Sequence, residues 1–168
     1  DNPTNSARWY PGAGIYRNVW LTKVNSVQVA HWGTFITTKN ISAASANVDL
    51  SVQIENKATA DKTVKVVTEV YALDNSYKRK ANTKTLFPAK TILVKAGELL
   101  KVENTVNIKN PVLWGPAPAQ KPNLYTAVTK LYVNGVIVDE YETRFGIRSL
   151  IFDPVKGLLV NGQPVRIQ

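Results

Sequence analysis

Apolar and polar residues alternate along much of this chain with a period of two. Val48, Leu50, Val52 and Ile54 are interleaved with Asp49, Ser51 and Gln53 and bounded by Asn47 and Glu55. One apolar face and one wet face over nine residues is a half-buried strand, and no helical spacing fits it. Residues 63–73 are rich in Val, Thr and Tyr, which suit a pleated surface. Two more β-rich runs, 124–133 and 136–145, flank Asn134-Gly135. That dipeptide predicts a tight hairpin, because a type I′ turn needs positive φ at both central positions. Further strands are predicted over 19–32, 35–41, 85–94 and 99–108, and a last hairpin around Asn161-Gly162. No convincing amphipathic helix interrupts them. Seven or more short strands with turn residues between them predict an all-β, antiparallel sandwich. Pro116, Pro118 and Pro122 bar the stretch 114–123 from a central strand and make it a long crossover between two sheets.

The 168 residues amount to one domain, large enough to bury a core without a metal or disulfide staple. Cysteine is absent and His31 is the sole histidine, which excludes disulfides, thiolate chemistry and a multi-histidine metal centre. Methionine is absent too, even at position 1, so the chain is expected to be a processed product or an excised piece. The net charge of +9 raises nucleic acid or another anionic surface as a partner. Most lysines, however, are scattered singly among apolar residues, as on the solvent face of an antiparallel sheet, and only Lys78-Arg79-Lys80 cluster. Neither a nucleic-acid nor a membrane partner is expected: no run approaches the ~20 apolar residues of a membrane helix. No signal-peptide pattern opens the chain, and because its start is expected to be excised, localisation stays unassigned.

Four features of the sequence have a chemical reading. Asp139, Glu140 and Glu142 are the densest acidic grouping, and Glu140 and Glu142 share a strand face. A glycosidase-type carboxyl pair also needs a pocket that perturbs one pKa; the favoured reading is a solvated strand face near lysines. His31 has no Gly-x-Ser-x-Gly elbow to serve and is expected to be a partly buried structural residue. Gly12-Ala13-Gly14 is too short for a phosphate loop. The large aromatics Trp9, Tyr10, Trp20, Trp32, Trp114 and Tyr125 could stack on sugar rings, but packing is the favoured role. Trp114 is expected to cap the core, and Tyr125 to act as a tyrosine corner, tying its hydroxyl to nearby backbone.

Three passages carry a family resemblance. Residues 9–21, from Trp9-Tyr10-Pro11-Gly12 to Val19-Trp20-Leu21, resemble the segment closing the sugar-binding jelly roll of family 2 glycoside hydrolases, the β-galactosidases, β-glucuronidases and β-mannosidases. Pro111-Val112-Leu113-Trp114 with Pro122-Asn123-Leu124-Tyr125 resembles the end of that family's immunoglobulin-like domain. Arg144-Phe145-Gly146-Ile147-Arg148, followed by residues 157–165, is similar to the passage leading into its catalytic barrel. Gly115, where the family often has Ser, and the long spacer 115–121 depart from the pattern.

The resemblance implies a domain plan: 1–20 the remnant of the jelly roll, 21–150 the immunoglobulin-like sandwich, and 151–168 a hairpin into an absent (β/α)8 barrel. It implies that the family's two catalytic glutamates lie outside this chain. No catalytic, cofactor-binding or metal-binding residue, and no cofactor, is therefore assigned here. The implied role is a non-catalytic spacer in a retaining, β-galactosidase-like hydrolase, with the flanking jelly roll and barrel as partners. Exposed inter-domain surface should give weak self-association, read as concentration-dependent sedimentation. Two rivals stand beside it: a free-standing carbohydrate-binding or adhesion sandwich, and a basic module docking on an anionic polymer with steep salt dependence.

Overall fold

A computed structural model describes residues 14–166. Its strands are β1 (Val27–Lys39), β2 (Ser45–Asn56), β3 (Lys62–Ala72), β4 (Thr85–Leu86), β5 (Lys90–Val94), β6 (Leu99–Lys109), β7 (Tyr125–Val133), β8 (Val136–Phe145), β9 (Leu150–Asp153), β10 (Gly157–Val160) and β11 (Gln163–Pro164). Every pairing is antiparallel. One sheet runs β1-β2-β6; the facing sheet runs β4-β3-β7-β8, with β5 also on β3; a small third sheet runs β9-β10-β11. The architecture is the antiparallel β-sandwich that the period-two pattern predicts, of the immunoglobulin-like kind that the family resemblance implies.

The core lies between the two larger sheets. Val48, Leu50, Val52 and Ile54 of β2 are buried, as their alternation requires, against Val64, Val66 and Val70 of β3 and Ala127 and Leu131 of β7. Each such aliphatic side chain contributes about 1.5–3 kcal/mol when fully buried. On β3 and β7 the hydroxyls of Thr68 and Thr129, directly opposite and both buried, hydrogen bond at 2.9 Å. Both Asn-Gly turns form as predicted, with φ of 51° and 79° at Asn134 and Gly135, and of 53° and 77° at Asn161 and Gly162. The proline-bearing stretch crosses from β6 in one sheet to β7 in the other. Tyr125, 4% exposed, accepts a hydrogen bond at its hydroxyl from the Val112 amide at 2.8 Å and stacks on Phe145. It is the tyrosine corner read from the sequence.

Several element boundaries differ from the sequence reading. Residues 19–26 are not a strand: Val19, Trp20 and Leu21 are exposed, and regular pairing begins at Val27. The predicted strands 19–32 and 35–41 are instead one strand, β1, which passes through Gly33 with an irregularity between Val29 and Thr34. The run 85–94 is split into β4 and β5 because Pro88 has no N–H to donate; Phe87 stays buried, its amide bonded to the Thr68 carbonyl at 3.0 Å. The trailing hairpin gains a third strand, β9, on β10.

The two large sheets also meet along one side. β1 and β8 are their edge strands, and side chains close the seam between them. The Val29 amide donates to Asp139 Oδ2 at 2.7 Å, the Thr34 and Thr143 hydroxyls meet at 2.7 Å, and Thr38 Oγ1 donates to the Arg148 carbonyl at 3.4 Å.

Candidate functional site

The acidic trio of β8 is committed to structure. Asp139 serves the seam just described. Glu142 forms an ion pair with Arg79 Nη2 at 2.7 Å and accepts a hydrogen bond from Thr126 Oγ1 at 2.8 Å. Glu140 stands 3.9 Å from both Arg79 and Lys130, and Lys130 reaches on to Glu69, which also pairs with Lys84. The outcome is a lattice of alternating charge over β3, β7 and β8, where the sequence suggested only a solvated face near lysines. The Arg79 hydrogen bond, with help from Thr126, holds the Glu142 carboxyl below the usual carboxylate range against the opposing effect of burial. A general acid requires the opposite shift.

A pH dependence follows. Because the folded Glu142 pKa is lowered, its contribution to stability is present above the unfolded value of about 4.3 and is lost as pH falls through the folded one. Glu69, lowered chiefly by Lys84, behaves the same way. Arg79→Ala should therefore lower the urea midpoint at pH 7, and the gap from the unsubstituted chain should close on acidification. A gap that persists unchanged at acid pH would disprove the assignment.

The aromatic candidates divide. Trp9 and Tyr10 lie outside the described residues. Tyr125 is buried and Trp114 half-buried, in packing roles, whereas Trp20 and Trp32 are exposed. His31 is exposed as well, contrary to the expected partial burial, because it sits in the β1 irregularity and not at a packed strand end. Trp32 holds φ at 54°, a left-handed conformation costing an L-residue about 1–2 kcal/mol. Among the described residues, no group of three His, Cys, Asp or Glu could hold a metal ion.

A groove of about 660 Å³ runs across the outer face of β1, β2 and β6, with Phe35 among its lining residues. Its carboxylates already carry lysines, Asp49 that of Lys39 and Glu103 that of Lys101.

Sequence reasoning missed the joint between the sandwich and the β9–β11 sheet. Asn161 Nδ2 donates to the Trp114 carbonyl at 2.8 Å and to Gln120 Oε1 at 2.9 Å, while Asn161 Oδ1 accepts from the Ser149 amide at 3.0 Å. Gln120 Nε2 donates to the Val160 carbonyl at 2.9 Å. The crossover thus grips the β10–β11 turn through paired amides. Gly115 is small for this reason: a Cβ there would lie 2.1 Å from Gln120 Oε1. Gly146 similarly leaves room for Trp114, whose Cβ would be 2.7 Å from an added Cβ. Arg148 covers the Trp114 ring at 4.6 Å. Gly115 and the long spacer 115–121, both departures from the family pattern, are the signals in the sequence that point here.

Fold and surface together define an antiparallel β-sandwich module with a small sheet joined to it and its clustered acids tied up in ion pairs and a main-chain hydrogen bond. The chain belongs to glycosyl hydrolases family 2, whose model matches residues 27–148, from the first residue of β1 to just past β8. It is 33% identical over 162 residues to the β-galactosidase BoGH2A of Bacteroides ovatus, covering 96% of this chain and 18% of that protein. It is 27% identical to a β-glucuronidase of Formosa agariphila, covering 97% of this chain and 16% of that one. Among solved structures, a Bacteroides uniformis β-glucuronidase superposes with a TM-score of 0.79 at 26% identity, over 97% of this chain and 19% of that one. The chain thus spans less than a fifth of the length of these relatives.

Proposed function

We propose that this chain is the non-catalytic immunoglobulin-like spacer of a family 2 enzyme that hydrolyses O-glycosyl bonds of the β-galactoside type, with chemistry carried by a barrel outside these residues. In this reading residues 1–20 close a preceding jelly roll, 21–150 are the spacer and 151–168 enter the barrel. The observation that carries it is the amide joint of Trp114, Gln120 and Asn161, which fixes the direction in which the chain leaves the sandwich. A spacer that orients one domain on another needs such a rigid exit. Exposed apolar residues at both ends, Tyr16, Trp20 and Leu21 on the leading segment and Phe152 and Val155 on the trailing one, supply surface for flanking domains.

The test is hydrolysis of 4-nitrophenyl β-D-galactopyranoside by this 168-residue chain and by the longer protein containing it. The longer protein is expected to turn over and the chain alone to release nothing above the spontaneous rate. Turnover by the chain that disappears in Glu142→Gln would overturn the spacer reading.

A further inference from the structure

Between Val29 and Thr34 the β1–β2 ladder skips. Val29 pairs with Ile54 and Thr34 with Val52, so the four residues Ala30, His31, Trp32 and Gly33 stand opposite Gln53 alone as a finger whose base, Ala30 and Gly33, is buried and whose tip, His31 and Trp32, is exposed. The finger has a rigid base. Gly33 is wedged against main chain, and the residues on either side are pinned to β8 through Asp139 and Thr143. At its tip Trp32 keeps a left-handed backbone yet is 81% exposed, so no burial offsets that conformation. The His31 ring stands edge-on to the indole, with centroids 5.2 Å apart at 72°. Strain held in place by surrounding structure, in a side chain left 81% exposed beside a single imidazole neighbour, points to recognition.

We propose that the finger is a carbohydrate contact, in which the Trp32 indole stacks on the C–H face of a pyranose ring in a β-linked saccharide and His31 offers a ring nitrogen to a neighbouring hydroxyl. The surroundings favour a sugar over an apolar protein surface. The exposed apolar residues suited to flanking domains lie on the leading and trailing segments of the chain, whereas Trp32 stands between the two seam bonds from Val29 to Asp139 and from Thr34 to Thr143. Its neighbours along β1 are polar pairs, Gln28 with Glu55 at 2.9 Å and Thr34 with Thr143 at 2.7 Å. A protein-docking face is a contiguous apolar patch; here two exposed aromatics, Trp32 and Phe35 three residues on along β1, are set among polar residues, which matches a pyranose, apolar on its ring face and polar at its edge. A preorganised side chain also loses little freedom on binding.

The carbohydrate class of the ligand rests on the proposed glycosidase parentage, but the readout is binding and not hydrolysis, so the two can fail separately. The chain has four tryptophans and hence four indole N–H signals in a ¹H–¹⁵N spectrum. Titration with lactose and with cellobiose to high millimolar concentration should shift one of them saturably. That shift should vanish in Trp32→Asn, a substitution that suits the left-handed backbone and leaves the fold intact, and should survive in Trp20→Ala. No shift with either sugar, or a shift that persists in Trp32→Asn, overturns the proposal whatever the parent enzyme hydrolyses.

Discussion

Asn56→Ala is expected to remove about 3–5 kcal/mol of stability, a large share of the roughly 5–15 kcal/mol that holds a domain together. The last residue of β2, Asn56 has no exposed surface. Its Nδ2 donates to the carbonyls of Ala60 and Val94 at 3.0 Å and of Lys95 at 3.1 Å, and its Oδ1 accepts from the Ala58 amide at 3.0 Å. Its main chain bonds to Glu98 and Gly97 on the turn between β5 and β6. One amide therefore joins the β2–β3 turn to the β5–β6 turn. Alanine would strand four main-chain groups and leave a void; each buried polar group without a partner costs about 1–3 kcal/mol. Solvent reaches part of the cluster, which keeps the total below the simple sum. Urea unfolding should show a lower midpoint with an unchanged slope. A loss under about 1 kcal/mol, the worth of a single ordinary hydrogen bond, would refute the role assigned to this side chain.

Gly33→Ala is the second large effect, expected at about 3 kcal/mol, the upper part of the range for overpacking. The added Cβ would lie 2.5 Å from the Ala30 carbonyl oxygen, 2.9 Å from the Ala30 nitrogen and 3.0 Å from the Gln53 carbonyl oxygen. All three are main-chain atoms, so no side chain can swing aside. The irregularity in β1 would have to open, and the seam bonds on either side of it, Val29 to Asp139 and Thr34 to Thr143, would go with it. Gly135→Ala is the contrasting case: its Cβ meets nothing within 4 Å, and only its φ of 79° is unfavourable. That change should cost about 1–2 kcal/mol, the left-handed penalty alone. Equal midpoints for the two variants would show that crowding at Gly33 is relieved by a shift the fold tolerates.

What the sequence disclosed is what local chemistry decides. Asn134-Gly135 and Asn161-Gly162 declare their turns because two successive left-handed residues need those side chains. The inward face of β2 is legible in its alternation, and the crossover in its prolines. Tyr125 was readable from its place at the start of a late strand. The joint was not, because Gln120 and Asn161 meet across 41 positions and an amide in a loop looks the same whether it faces solvent or a partner. Asn56 is hidden for a related reason: asparagine at a strand end reads as an ordinary turn residue, and its Val94 contact lies 38 positions away. The acidic trio reads from the sequence as a solvated strand face near lysines. Its partners escaped notice, since Arg79 comes from a loop 63 residues before Glu142. His31 and Trp32 were misjudged because a break in alternation looks like the end of a strand, and here the strand resumes.

The seam between β1 and β8 bears on how the molecule comes apart. Elsewhere neighbouring strands are joined by main-chain ladders, such as those from Ser45 to Glu55 on β6 and from Val64 to Ala72 on β7. Along the seam a few side-chain oxygens take their place. A clasp of that kind can let go and re-form without unpairing any ladder, so the sandwich is free to gape at one edge while its interior stays assembled. Amides of β1 and β8 facing the gap would then trade their hydrogens with solvent through small, frequent openings. Those between β3 and β7 would have to wait for the whole domain to unfold.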